Sequence, residues 1–171
     1  MRPLFPKDYR NDVTLNNMVM EVDPEYRPEL VAMIGASIAT CISDIPFDGP
    51  CAMTQVGMID GEFIINPSQA QWQEGDLQLT VASTKQKVIM TEASANIIPD
   101  DKMIEAIYMA YDINQTNIAF IEKIVSEVGK EKHSYESCAI PAEMFEAMKQ
   151  VVSPEEMEVA VFTDDKQTRD K

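Results

Sequence analysis

Three pairs of adjacent acidic residues are the side chains of this 171-residue chain that could hold a hard divalent cation: Asp100/Asp101, Glu155/Glu156 and Asp164/Asp165. Carboxylate oxygens are the ligands that Mg²⁺ and Ca²⁺ prefer. Adjacent residues on a helix point in different directions, however, and acidic residues are common at helix N-termini because they interact favourably with the helix dipole. The spacing therefore favours helix starts over a metal site.

A nucleophilic site would need a serine or a cysteine beside an oriented base. The only histidine, His133, lies 90 residues after Ser43 and falls in a predicted loop, and Ser37 is further from it still. We therefore assign no nucleophile to the two serines, and we predict that His133 is a solvent-exposed loop residue.

The cysteines, Cys41, Cys51 and Cys138, are an odd number of thiols without C-x-x-C spacing. This inventory predicts neither a disulfide framework nor a zinc site. We interpret them as buried or incidental thiols in a reducing cytoplasm.

The only tryptophan, Trp72, lies among glutamines and Glu74 between two predicted hairpins. An indole ring can act as a stacking platform for a nucleic-acid base. Because the sequence neighbours of Trp72 include no Lys or Arg, packing over a sheet edge or at a subunit contact is the favoured interpretation.

The chain is acidic, with 29 Asp and Glu residues against 14 Lys and Arg residues and a net charge of −15. Affinity for a phosphate backbone comes mainly from Lys and Arg, so we predict that the chain alone binds RNA poorly, and we predict no DNA partner. No apolar run approaches the roughly 18 residues that span a bilayer, and the N-terminus lacks an apolar signal segment. These features predict a cytoplasmic protein with no membrane partner.

Apolar spacing and turn residues predict the elements that would position these side chains. Residues 11–22 alternate apolar and polar side chains, which predicts a strand or a bent pair of short strands ended by Asp23-Pro24. From Leu30 to Ile42 the apolar residues recur at helical spacing, with Pro28 near the start, which predicts a buried helix. The small residues of this helix would let it approach a sheet closely.

Two hairpins are predicted after the turn at Pro46–Pro50. Asp60-Gly61 is a strong signal for a type I′ turn, because both central positions of that turn need positive φ. Val56–Ile59 should therefore pair with Glu62–Ile65. The second hairpin comprises residues 77–81, a turn at residues 85–87 and a strand at residues 88–90.

A long helix is predicted to begin at Asp100/Asp101 and to end before Gly129, a residue typical of helix C-caps. Its predicted apolar face comprises Met103, Ile107, Tyr111, Ile118, Ile121, Val125 and Val128. Beyond it, Pro141 and Ser153-Pro154 each start a shorter helix, and the polar run 163–171 is predicted to fray.

Several separated motifs resemble, in the same order, the first RNase PH-like core domain of bacterial polynucleotide phosphorylases. They are Arg2-Pro3-Leu4-Phe5-Pro6, Arg10-Asn11-Asp12-Val13, Ala32-Met33-Ile34-Gly35-Ala36-Ser37, Ile45-Pro46-Phe47-Asp48-Gly49-Pro50, Asp76-Leu77-Gln78-Leu79-Thr80-Val81-Ala82 and Glu127-Val128-Gly129-Lys130. The resemblance runs from Arg2 to about Gly129, and the residues after Gly129 match only loosely.

The resemblance implies an α+β fold. The chain would be a partial RNase PH-like domain, of the ribosomal protein S5 domain 2-like type, with two hairpins and two helices followed by a helical appendage. Residues 1–130 would form the C-terminal half of the first core domain, and residues 131–171 the start of the family's all-helical linker domain with a frayed tail. In the family the chain continues on both sides, so Met1 is expected to lie inside a domain.

The resemblance also implies an activity. Members of the family are polyribonucleotide nucleotidyltransferases, which are phosphorolytic 3′-to-5′ exoribonucleases of RNA degradation that use Mg²⁺ and inorganic phosphate and assemble as homotrimers. Their phosphate-binding and metal-binding residues lie in a second core domain that this chain does not match. No catalytic or metal-binding residue is therefore assigned here, and no Mg²⁺ or phosphate is expected to be bound to this chain.

Arg2 is the one residue that the resemblance implies as RNA-binding, because it matches the arginine of the family's Arg-Pro-Leu-Phe motif. The alternative is a structural role in which Arg2 pairs with a nearby carboxylate or frays at the chain end. Two functions remain open at this point. The chain is part of a phosphorolytic exoribonuclease, contributing structure and ring assembly, or it is a non-catalytic scaffold or oligomerisation module.

Overall fold

The computed structural model describes residues 1–169. They form two compact units, the first covering Met1–Tyr135 and the second beginning at Glu136. The first unit is an α+β domain with a four-stranded antiparallel sheet, and the regular structure of the described part of the second unit is helical. The predicted fold class is confirmed.

The sheet consists of two hairpins that lie side by side. β1 (Ala52–Ile59) and β2 (Glu62–Ile65) pair through the predicted turn at Asp60-Gly61, whose φ angles of 51° and 81° are of the kind that a type I′ turn requires. β3 (Leu77–Ser83) and β4 (Val88–Ala95) form the second hairpin, and β3 also pairs with β1. The strand order is therefore β2-β1-β3-β4.

Three helices of the first unit pack on this sheet or beside it. α1 (Glu29–Ile42) and the long helix α3 (Asp100–Val128) contact β1 and each other, and the short helix α2 (Gln69–Glu74) connects the two hairpins. The main core cluster, between α3 and the sheet, comprises Val56, Met58, Leu77, Leu79, Val81, Ala106 and Ala110. The small side chains of the two alanines let the helix lie close to the strands.

The long helix has the predicted bounds, and its predicted apolar face is correct in part. Ile118 and Ile121 are buried, but Val128, the last helical residue, is 59% exposed. A helix of 29 residues is roughly 43 Å long, whereas a strand of eight residues spans about 27 Å. Part of the helix therefore extends past the sheet on which it packs.

A polar network that the sequence did not predict joins α3 to the sheet. Asn114 is fully buried, and its Oδ1 accepts a hydrogen bond from Thr54 Oγ1 at 2.8 Å. Its Nδ2 donates to the carbonyl oxygen of Val81 at 3.1 Å and to Ser83 Oγ at 3.0 Å. Because each polar atom of this amide has a partner, the network links one point on the helix to two strands.

The segment after α3 closes the C-terminal end of α1. Lys132 Nζ donates at 3.2, 2.9 and 2.6 Å to the carbonyl oxygens of Thr40, Cys41 and Ser43. The backbone N–H of Lys130 also donates to the carbonyl oxygen of Ile42 at 3.0 Å. A cation at this position satisfies the last carbonyl groups of the helix and interacts favourably with its dipole.

The strand predicted for residues 11–22 is absent from the structure, so this prediction was wrong. A strand needs a partner for its backbone N–H and C=O groups, and no strand in residues 1–169 pairs with this segment. Its apolar side chains are exposed as a result, with exposed fractions of 82% for Met18, 52% for Val19 and 84% for Met20.

In the second unit, α4 (Ala142–Val151) and α5 (Pro154–Phe162) begin where the sequence predicts. Ser153 and Glu156 form a reciprocal capping box, with hydrogen bonds of 3.2 and 2.9 Å. The short helix α6 (Lys166–Arg169) lies within the run predicted to fray, and residues 170 and 171 lie outside the described residues. No helix in residues 1–169 is both long and apolar enough to cross a bilayer.

Candidate functional site

An open cleft of about 320 Å³ in the first unit contains Arg2. Its lining residues are Met1, Arg2, Phe5, Tyr9, Asn11, Val13 and Leu15. Arg2 is exposed, and within residues 1–169 its side chain has no ion-pair partner, so the alternative in which it pairs with a carboxylate is not seen. A guanidinium group with free donors beside aromatic rings is suited to contact a phosphate and a base.

Buried neighbours hold the backbone that carries Arg2. Arg2 begins a short 3₁₀ helix, Arg2–Leu4, and the side chain of Leu4 is 5% exposed. The carbonyl oxygen of Leu4 accepts a hydrogen bond from the backbone N–H of Asp48 at 2.8 Å, and the rings of Phe5 and Phe47 lie 5.0 Å apart. The N-terminal segment is therefore fixed against the loop that precedes β1.

An aromatic cluster adjoins the cleft at Tyr9. The rings of Tyr9 and Tyr135 meet edge to face at 5.0 Å, and the Tyr9 hydroxyl lies 3.3 Å from Nε2 of His133. The Tyr135 hydroxyl donates to Asp8 Oδ1 at 2.9 Å, and this hydrogen bond raises the pKa of Tyr135. The prediction that His133 is solvent-exposed was wrong, because contact with Tyr9 leaves this loop residue half-buried.

The structure does not bring the candidate nucleophiles to the histidine. Ser37 is buried and its Oγ accepts a hydrogen bond from the backbone N–H of Cys51 at 3.1 Å, while Ser43 Oγ donates to the Thr40 carbonyl oxygen at 2.8 Å. His133 is occupied by Tyr9. The hydroxyl groups therefore stabilise local backbone and have no base to activate them.

The two buried thiols are equally unsuited to nucleophilic chemistry. Cys41 and Cys51 are buried, and burial raises the pKa of both thiols, so little thiolate forms at neutral pH. Cys138 is exposed and lies in the second unit.

The acidic pairs occupy the positions that helix dipoles favour. Asp100/Asp101 and Glu155/Glu156 lie in the first turns of α3 and α5, and Asp164/Asp165 lies between α5 and α6. Residues 1–169 contain no group of three or more His, Cys, Asp or Glu side chains that could hold a metal ion. The described residues therefore include no cluster that fits the Mg²⁺ implied by the resemblance, and no chemical step is assigned to that ion.

Trp72 lies in α2 and is 9% exposed. The guanidinium group of Arg27 lies 5.0 Å from the centroid of its ring, a cation–π contact. Sequence reasoning missed this contact because Arg27 and Trp72 are 45 residues apart and no local pattern links them. The ring is therefore packed, which agrees with the favoured interpretation and not with a free stacking platform.

The amino-acid sequence of this chain is similar to those of known proteins. Residues 49–113 match the model of the 3′ exoribonuclease family, domain 2. The chain is 66% identical over 171 residues to the polyribonucleotide nucleotidyltransferase of Lachnoclostridium phytofermentans, and 48% identical over 170 residues to that of Ruminiclostridium cellulolyticum. The chain is homologous to a segment of bacterial polyribonucleotide nucleotidyltransferases. These matches cover 100% and 99% of this chain and 24% of each relative, so the chain spans about a quarter of their length.

A solved structure shares the fold of this chain. Rice (Oryza sativa) Rrp46 superposes with a TM-score of 0.54 over 61% of this chain and 51% of that chain, at 13% identity. At that identity the likeness establishes the fold alone. The resemblance to an RNase PH-like domain is confirmed, and RNA contact by Arg2 stays a prediction.

Proposed function

We propose that this chain is part of a phosphorolytic 3′-to-5′ exoribonuclease, a polyribonucleotide nucleotidyltransferase that acts in cytoplasmic RNA degradation. The observation that carries this proposal is the 66% identity to such an enzyme along the whole chain, on an RNase PH-like fold. Residues 1–130 would be the C-terminal half of a first core domain, and residues 131–171 the start of a helical linker. Inorganic phosphate, Mg²⁺ and RNA would be used by the complete enzyme.

Within that enzyme, the segment contributes structure and homotrimeric ring assembly and leaves bond cleavage to other parts. Phosphorolysis needs a phosphate cradle and a cation that offsets charge on the phosphoryl oxygens. Among residues 1–169 we find no cluster that could hold such a cation, and the candidate serines Ser37 and Ser43 make backbone hydrogen bonds and do not pair with His133, which contacts Tyr9. The purified chain should therefore release no nucleoside diphosphate from poly(A) in the presence of phosphate and Mg²⁺. Robust release would contradict this division of labour.

The segment also guides RNA through the cleft at Arg2. The exposed guanidinium group, the rings of Phe5 and Tyr9 and the fixed backbone at Leu4 support this role. A residue that neutralises one phosphate of a single strand contributes about 0.7 to the slope of log affinity against log salt. Arg2→Gln should therefore make that slope less steep by about 0.7 for single-stranded RNA at low salt.

A matched control is Arg10→Gln, which removes the same charge from a nearby exposed residue that does not line the cleft. Fluorescence anisotropy with labelled poly(A) should show a larger loss of affinity for Arg2→Gln than for Arg10→Gln. Equal losses would indicate general electrostatic attraction in place of a contact at Arg2.

A non-catalytic scaffold or oligomerisation module is the second candidate function, and the exposed apolar segment between residues 13 and 22 favours it. Met18 and Met20 are more than four-fifths exposed, with exposed fractions of 82% and 84%. Apolar side chains grouped in this way often mark a protein interface. A uniform trimer in light scattering would support ring assembly by this chain. A dispersed monomer would argue against ring assembly and against an oligomerisation module.

A further inference from the structure

A second cavity, of about 230 Å³, lies on the outer face of the sheet, which is the face turned away from α3. Its polar lining comprises Arg27, Gln55, Gln78, Thr80, Glu92 and Ser94. The sheet register places Gln55 of β1 opposite Thr80 of β3, and Thr80 opposite Glu92 of β4. Three polar side chains therefore form one row across three strands, on the face opposite the apolar core.

Gln55 has a buried polar atom without a partner. The residue is 4% exposed, and its Nε2 lies 3.5 Å from Thr80 Oγ1. Within residues 1–169 its Oε1 has no hydrogen-bond partner. If the amide oxygen and nitrogen were exchanged, Oε1 would pair with the Thr80 hydroxyl and Nε2 would have no partner. One end of the amide therefore lacks a partner in either orientation. Buried polar groups normally have partners, so this amide is the unusual feature of the cavity lining.

The groups around this amide are mostly acceptors. Gln78 uses its Nε2 to donate to the Trp72 carbonyl oxygen at 2.6 Å, which leaves its Oε1 as an acceptor. Glu92 has no ion-pair partner among the residues that the structure describes. The charge of Arg27 is offset by Glu29 at 3.2 Å, and its planar face lies over Trp72. The cavity therefore offers amide oxygens, hydroxyls and one uncompensated carboxylate.

We propose that this cavity binds a small organic cation with N–H donors, an ammonium or guanidinium group. Its N–H groups would donate to Gln55 Oε1 and Gln78 Oε1 and form a charge-assisted hydrogen bond to the Glu92 carboxylate. The net charge of −15 favours the approach of a cation. Such a group is supplied by a free diamine or by an arginine side chain of a partner protein. The site does not depend on contact with RNA.

The test is a titration of the ¹⁵N-labelled chain at constant ionic strength, followed through the side-chain amide of Gln55 and the backbone amide of Thr80. Putrescine is the probe for a free diamine, and Nα-acetyl-arginine amide is the probe for an arginine side chain. Each is expected to give saturable shifts at these signals. Tighter binding of putrescine would assign the site to free diamines, and tighter binding of the arginine derivative would assign it to a partner protein.

Glu92→Gln should weaken binding about tenfold, the order expected for loss of a charge-assisted hydrogen bond. Glu92 is exposed, so this variant is expected to fold. Glu127→Gln, which removes the same charge from an exposed position on α3, should change affinity less than about twofold. Gln55→Met should also weaken binding, and if it fails to fold, Glu92→Gln decides alone. Shifts that do not saturate, or equal weakening by the two glutamate variants, would overturn the proposal.

Discussion

Replacing Asn114 by alanine should lower the free energy of unfolding by about 3 kcal/mol, because three buried hydrogen bonds end on this one side chain. Thr54 and Ser83 are fully buried and would each lose a partner. A buried polar group left without a partner costs about 1–3 kcal/mol, and the small cavity left by truncation adds to that cost. The higher helix propensity of alanine returns about 0.5 kcal/mol.

Urea unfolding followed by circular dichroism measures this change, and the slope of free energy against urea should stay the same. The matched control is Asn117→Ala, on the same helix, where the native side chain is half-buried and makes no hydrogen bond within residues 1–169. Asn117→Ala makes the same change in helix propensity as Asn114→Ala but removes no hydrogen bond of the buried network. We expect it to alter stability by less than about 0.5 kcal/mol.

A double-mutant cycle tests the reasoning more directly. Thr54→Val removes the hydroxyl that Asn114→Ala would leave without an acceptor. The double variant should therefore cost about 1 kcal/mol less than the sum of the two single variants. A cost below about 1 kcal/mol for Asn114→Ala, or one equal to that of Asn117→Ala, would refute the view that this network anchors α3 to the sheet.

Three further predictions concern single positions. Gly129→Ala should lower the urea midpoint, because the new Cβ would collide with a carbonyl oxygen of the last turn of α3. Gly35→Ala should raise the free energy of unfolding by about 0.5–1 kcal/mol, because no atom lies within 4 Å of the new Cβ. A more stable Gly129→Ala than Gly35→Ala would contradict these contacts. Iodoacetamide should label Cys138 before Cys41 and Cys51, because burial raises the pKa of these two thiols. Intact-mass spectrometry should show one adduct on the folded chain and the other two only after denaturation. The pKa of the Glu29 carboxyl should lie below its ordinary value of 4.5. Arg27→Gln should raise it only part of the way back, because the hydrogen bond from the backbone N–H of Glu29, the largest single cause of the lowering, stays in place. Because the pKa of Glu29 is lower in the folded state than in the unfolded state, this contribution to stability is present above pH 4.5 and is lost as the pH falls through the folded-state pKa. An NMR titration of the Glu29 carboxyl carbon measures this pKa, and a return to 4.5 in Arg27→Gln would contradict the assignment.

Local signals in the sequence were sufficient for most element boundaries. Asp60-Gly61 predicted the first hairpin and its register because the turn depends on φ at two adjacent residues. Asp100/Asp101 and Gly129 predicted the bounds of α3, and Ser153-Pro154 predicted the start of α5, because dipole and capping effects act within one helical turn. The family resemblance was readable for the same reason, since motifs are short stretches of chain.

Predictions that needed a partner were less successful. Residues 11–22 have the alternation of a strand, but no strand among residues 1–169 pairs with them. His133 was predicted to be exposed, yet it meets Tyr9, which is 124 residues away along the chain. Arg27 and Trp72 meet across 45 residues. The spacing of residues along the chain does not indicate which distant residues meet in the folded structure.

The sequence by itself determined the helices, the hairpins, most of their ends and the kinship with polyribonucleotide nucleotidyltransferases, because each depends on a few neighbouring residues. The tertiary structure alone decided which polar groups meet: Asn114 with Thr54 inside the core, and Gln55 with Thr80 on the outer face of the sheet. The physical reason is that a hydrogen bond acts over about 3 Å in space, whatever the separation of its two residues along the chain.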